Sequence, residues 1–440
     1  MLEVKLDDLE SARIGRESGL EVENELKAWE PTLKAHHRVL LERAGDPAAM
    51  LGWIRVPDDT ETLREVKRYA EAAAWASEVA VLGIGGSALP ARGLYEALAP
   101  GGKTLHFLDH TDPLPIRRLL ERLEPARTLV VAVSKSGGTA ETAALLLVFR
   151  RWLEDALGED WRRHLAVVTD PEKGPLRALA RAEGLAAFDV PKDVGGRFSA
   201  LTPVGTLPLA LAGADVDALL MGARRANRRV AETAAKTALA LFLLERYRGK
   251  RVHVFMPYGR RLYAIAQWFA QLHAESLGKA RDRKGSRVHA GPTPLPALGP
   301  TDQHSLLQLF REGPFDKAVI FLRLGEPGED LRLPPVKGLE AFDYLFGKTL
   351  FALQEAEAEG TRRALLEAGR PSLTLTLPRA DEESLGELYQ FLMWQTALLG
   401  ELYGVNAFDQ PGVELAKVYA YALLGRAGYE DVRKRLLEEA

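Results

Sequence analysis

Between Thr60 and Val190 short β-branched runs alternate with helical stretches, and no other feature constrains the fold as tightly. A helical pattern from Glu61 to Trp75 leads into Val79–Ile84, and Thr104–Leu108, Leu129–Val133, His164–Thr169 and Leu185–Val190 follow with helices between them. Such alternation predicts an α/β fold, a doubly wound parallel sheet with helices on both faces and ligands at the carboxyl ends of the strands. The rhythm then repeats. Leu207–Ala223 reads as helix, and Val252–Met256, Ala318–Leu322 and Leu373–Leu377 read as strands of a second unit. The expected division is a helical segment 1–58, α/β domains 59–204 and 205–400, and a closing helical segment 401–440 with an amphipathic helix pair. His36 and His37 are adjacent, hence about 100° apart on a helix, and read as a solvated face rather than a ligand pair.

A chain of 440 residues with 47% hydrophobic content has ample material for two cores. Its net charge of −3 argues against a general nucleic-acid binder, and no apolar run approaches the roughly 18 residues that a membrane helix needs. Met1–Arg16 mixes acids and bases and lacks the order of a secretory signal, so a cytoplasmic protein is expected. With no cysteine, catalysis has to use carboxylate, imidazole, amine or hydroxyl. Three asparagines and 25 prolines give the composition a thermophilic cast.

The loop after the third strand reads Ser134-Lys135-Ser136-Gly137-Gly138-Thr139. Its glycines let the backbone fold into a concavity of N–H groups, the hydroxyls add donors, and the helix that follows aims its positive end at the same spot. A plain N-cap at Thr139 would use a single hydroxyl, as an acceptor; the full set points to a phosphate. The spacing G-x-x-x-x-G-K-[ST] is absent, so that phosphate belongs to a small substrate and not to a nucleoside triphosphate. The first strand ends in Gly83-Ile84-Gly85-Gly86-Ser87-Ala88, a match to the dinucleotide fingerprint, with Asp109 after the next strand. A nicotinamide-dependent oxidoreductase is therefore a second reading, although two anion loops at neighbouring strand ends suit one phosphorylated sugar equally well. His106 and His110 lack a clear third ligand and read as loop residues.

Further along, Gly195 and Gly196 present Arg197, a permanently charged fork suited to an oxyanion, while a surface arginine in a turn is the plain alternative. Arg224, Arg225, Arg228 and Arg229 read as a solvated helix face. In the helix Leu262–Leu277 the residues Leu262, Ile265, Phe269, Leu272 and Ser276 form the buried stripe, whereas Gln271 and Glu275 lie one turn apart on another face, and Gly278 ends the helix. Glu275 is thus a carboxylate on a rigid element, with an exposed surface glutamate as the plain alternative. A Pro/Gly-rich passage delivers His304 to a helix start, where the positive end would favour a neutral ring. Pro411 suits a first helical turn, and Lys417 falls two turns after Gln410, on nearly the same face.

Five segments together, Gly83–Ser87, Ser134–Thr142, Val194–Ser199, Gln271–Lys279, and Asp302–Ser305 with Asn406–Lys417, resemble the phosphoglucose isomerase family in its bacterial form. They occur in the family's order and span about residue 80 to about 420. The resemblance implies two sugar-isomerase sheet domains, a homodimer, a sugar phosphate as substrate and neither metal nor cofactor. It assigns phosphate binding to Ser87, Ser134, Lys135 (through its backbone N–H), Ser136 and Thr139, and pocket lining to Gly86, Gly196, Glu141, Gln271 and Gln410. Glu275 is the implied acid/base, Arg197 the stabiliser of an enediolate, and His304 with Lys417 the ring-opening groups, the histidine coming from the neighbouring subunit. Ala407 and Ala416 stand where the family often has proline and glycine, and only local packing changes are expected from them. A third reading, a sugar-phosphate sensor on the same fold, has no use for Glu275, His304 and Lys417 together.

Overall fold

The chain opens with a short strand, β1 (Glu3–Lys5), and then a helix, α1 (Val22–Arg43), that buries Leu33 and Leu40. The computed structural model describes residues 1–438. α2 (Thr60–Ala72) is started by Asp59, whose carboxylate accepts the Thr62 N–H at 3.1 Å, and it buries Leu63 and Val66. After it come β2 (Glu78–Leu82), α3 (Leu89–Leu98), β3 (Thr104–Leu108), β4 (Thr128–Ser134), α4 (Ala140–Leu157), β5 (Leu165–Thr169) and β6 (Ala186–Asp189). Strands β2 to β6 form one sheet in the order β3-β2-β4-β5-β6, every pair parallel. β4 lies in its middle, buried throughout, with Val131 and Val133 packed in the core beside Leu207 and with Val130 and Ala132 in the core beside Phe149. Cover on both faces explains its unbroken apolar run. Because the chain leaves β2 for β3 on one side and returns to β4 on the other, the strand order reverses there. The crevice at the ends of β2 and β4 is where an α/β sheet takes its ligand.

The second half runs α5 (Pro203–Leu211), α6 (Val216–Arg228), β7 (Val252–Pro257), α7 (Tyr263–Leu277), β8 (Lys279–Arg281), β9 (Arg287–Ala290), β10 (Thr293–Pro296), β11 (Lys317–Leu324), β12 (Ser372–Leu377), α8 (Glu382–Tyr403) and α9 (Glu414–Leu423). Its sheet has the order β1-β12-β11-β7-β10, parallel except for β1, which pairs antiparallel with β12 at the edge. β8 and β9 form a separate hairpin. From Ser384 to Glu401 α8 is buried on every side, so it is a central helix packed against α6, not an amphipathic surface one. None of the described helices is long and apolar enough to cross a membrane.

Three expectations need correction. The helix expected over Leu207–Ala223 is two helices, since Gly213 turns the chain with φ +86° and the Asp215 carboxylate caps α6 through the Ala218 N–H. The arginine face of α6 is not simply solvated: Arg225 and Arg229 both pair with Glu387, a carboxylate buried on α8 that also accepts the Leu2 N–H. His36 and His37 are half-buried, with the His37 ring set edge-on to Trp394 at 5.1 Å.

Candidate active site

At the end of β4 the loop turns on Gly137, φ +68°, and its N–H donates to the Ser134 carbonyl at 3.0 Å. Thr139 occupies the N-cap position of α4, yet its hydroxyl makes no capping bond. It pairs instead with the Ser134 hydroxyl at 2.9 Å and lies 3.4 Å from that of Ser136. Three hydroxyls thus converge beside a helix start with no side-chain cap, a geometry that can receive an anion. Lys135 turns its ammonium away, donating to the carbonyls of Lys192 at 2.8 Å and Val194 at 2.7 Å, and burial holds it below its ordinary pKa.

Those two lysine bonds tie the loop to the turn Gly195-Gly196-Arg197. Gly86, after β2, packs on that turn so closely that a Cβ would stand 2.4 Å from the Gly196 carbonyl carbon. Arg197, 3% exposed, donates to Ser276 Oγ (2.7 Å), Glu275 Oε2 (3.3 Å), Gln410 Oε1 (2.8 Å) and the carbonyls of Ala407 (2.6 Å) and Asp409 (3.0 Å). All five N–H groups of the guanidinium have acceptors, so its plane is fixed. Burial draws its pKa down while Glu275 and Asp409 oppose that, and an arginine stays charged regardless. Glu275 is held at both oxygens, by Arg197 and by Gln271 Nε2 at 2.9 Å, one helical turn back on α7.

One cavity of about 760 Å³ gathers these groups. Gly86, Ser87, Lys135, Ser136, Thr139, Glu141, Gly196, Arg197, Gln271, Glu275, Gln410 and Lys417 all line it, with Ser134 buried just beneath. Lys417 is half-exposed and paired with Glu414 at 2.8 Å. Gln410 and Lys417 do not share one helix as expected, because Gln410, with φ −152° and ψ 62°, is non-helical and precedes the turn Pro411–Val413 that leads into α9. Ala416 lines the cavity too, so that departure touches the site wall, whereas Ala407 packs against Gly400 and offers Arg197 its carbonyl. His304 is not among the lining residues; it lies exposed at the end of the short turn Thr301–His304. Asp170 and Lys173, after β5, and Tyr421, on α9, also line the cavity and were missed. The rule that ligands sit at strand carboxyl ends could have found Asp170; Tyr421 is one turn beyond Lys417. The dinucleotide reading fares poorly at its own glycines. Gly85, which a pyrophosphate would approach, faces Gln271 Nε2 at 2.9 Å from an added Cβ, and Asp109 is engaged by Arg92 at 3.1 Å.

Two sheets flanked by helices, the first wholly parallel and the second parallel but for its edge strand β1, give the fold of the sugar-isomerase class of α/β proteins. The tagatose-6-phosphate ketose/aldose isomerase from Escherichia coli has this fold, with a TM-score of 0.54 at 16% identity over 83% of this chain and 93% of that one. The sequence matches the family Phosphoglucose isomerase over residues 55–319 and 349–431, and the chain belongs to that family. It is 58% identical over 397 residues to a glucose-6-phosphate isomerase from Thermus thermophilus, covering 88% of this chain and 93% of that protein. Among solved structures, a hypothetical protein from the same organism matches with TM-score 0.90 and 54% identity over 97% of this chain and all of the other. A glucose-6-phosphate isomerase from Chlamydia trachomatis matches with TM-score 0.77 and 25% identity over 88% of this chain and 78% of that one.

Proposed function

We propose that the chain interconverts glucose 6-phosphate and fructose 6-phosphate by moving one proton between adjacent carbons through an enediolate. The observation that carries this reading is the single cavity in which the Ser136–Thr139 loop, the Glu275 carboxylate and the Arg197 guanidinium face one another. The named relatives support the substrate. The phosphate end of the open sugar binds at the Ser134 loop and the start of α4, which sets the reacting carbons against Glu275. Glu275 lifts the proton from one carbon and returns it to the next. Its 3.3 Å contact is the longest of the five that Arg197 makes, so the Nη1 N–H directed at Glu275, and not the one held by Gln410, is the donor that an oxyanion draws over as charge develops there. Lys417 and a histidine, His304 from the partner subunit of a cytoplasmic homodimer, open the sugar ring. A coupled assay of the purified chain for fructose 6-phosphate conversion, without added metal or nucleotide, tests the reading. Turnover is expected, and its absence in a folded dimer rejects it.

A further inference from the structure

Lys279 stands just past the end of α7, buried, and its ammonium has acceptors on two segments far apart in the chain. It donates to the Glu275 carbonyl at 2.6 Å, the Asp409 carbonyl at 2.6 Å and Asp409 Oδ1 at 3.2 Å. Closing the end of a helix would account for the first bond, since the last carbonyls of α7 lack partners within it. The two bonds to Asp409 need another reason. Asp409 belongs to the loop that supplies three of the five acceptors of Arg197, namely the Ala407 and Asp409 carbonyls and Gln410 Oε1. Arg197 in turn reaches back to α7 through Ser276 and Glu275. Both cations therefore bridge the same two segments, and they share the Asp409 carbonyl. Like charges so close repel, and the Asp409 carboxylate offsets this; it is itself held by the Asn406 amide at 2.9 Å.

We propose that Lys279 is a positioning residue for the isomerisation, fixing the 406–410 loop to the end of α7 so that the Arg197 guanidinium is held in the plane that meets the enediolate. Lys279 does not line the cavity that holds Glu275; it faces a separate one behind the loop, so it acts through Arg197 and not on the sugar. The inference rests on the function proposed above and deepens it.

The test is a double-mutant cycle in the full-length protein on fructose 6-phosphate. Lys279→Met is expected to lower kcat about 10- to 100-fold while KM stays within about threefold, the pattern of an interaction realised in the transition state. In an Arg197→Lys background the same change is expected to cost less than about threefold, because the group being positioned is already gone. Equal losses in both backgrounds, or a normal kcat in the single variant, overturn the proposal. Should Lys279→Met fail to fold, Asp409→Asn, which keeps both carbonyl bonds and removes the negative charge beside the two cations, carries the same cycle: a loss in kcat that vanishes in the Arg197→Lys background supports the proposal, and an equal loss in both backgrounds overturns it. An inactive wild-type chain would instead reject the proposed function, so the two failures are told apart by the control.

Discussion

Glu275 and Arg197 are held by each other and by neighbours that leave little freedom, and the first predictions concern them. Glu275→Gln keeps the hydrogen bonding of the side chain and removes its basicity. Turnover is expected to fall roughly 100- to 10,000-fold with KM little changed, as steady-state kinetics on a folded variant would read. Arg197→Lys cannot reproduce a fork that serves five acceptors, and a loss in kcat/KM of at least about 100-fold is expected in the same assay. Away from the site, burial holds the ring of His253, on β7, down to about 3, and that of His273, on α7, well below its ordinary value. An unfolded histidine takes up a proton below about pH 6.5, whereas His253 in the folded chain does so only near 3. Between those values the unfolded state binds more protons, so stability falls as pH falls, by at most about 1.4 kcal/mol per pH unit for this one group. Denaturant titrations at several pH values between 7 and 4 are expected to give a shallower slope for His253→Leu than for the wild type.

Loops placed by strands make the site, and they were also its most legible part. Glycines and hydroxyls clustered after β2 and β4 have few uses other than close backbone approach and anion binding, so Gly86 and Ser134–Thr139 stand out of the sequence unaided. The parallel sheets were legible for a similar local reason, the alternation of β-branched and helical runs. What escaped depended on contacts made elsewhere. A three-residue strand such as β1 has no periodicity of its own and exists because β12 offers an edge. The pairing of Arg225 and Arg229 with Glu387, and the turn of Tyr421 toward the cavity, are set by how helices dock and not by their own patterns. His304 is the reverse case, prominent in the sequence and not among the residues that line the cavity within one chain. The close packing of two turns yields a prediction of its own. In Gly86→Ala the new methyl meets backbone atoms of Gly196 and Arg197 on a turn that cannot yield like a flexible side chain. A shift of about 1 Å at Arg197 is expected to cost on the order of 100-fold in turnover, with thermal stability reporting whether the strain spreads.

At the scale of the assembled protein, the separation of His304 from the cavity turns the proposed dimer into a measurable claim. If each site joins Glu275 of one subunit to His304 of the other, Glu275→Gln and His304→Ala homodimers are both nearly inactive. Mixed dimers then pair both lesions in one site and leave the other intact. Unfolding and refolding an equal mixture is expected to restore about a quarter of wild-type activity, by random pairing of subunits. Activity that stays at the level of the separate variants would show that no site is shared. The strand β1 carries a different consequence. It sits at the rim of the second sheet, register-matched to Thr374–Thr376. During synthesis this segment must therefore wait, unpaired, until a partner about 370 residues further along has emerged. The second sheet acquires that edge only once β12 has emerged, and a nascent chain halted before β12 leaves the β1 segment without its ladder.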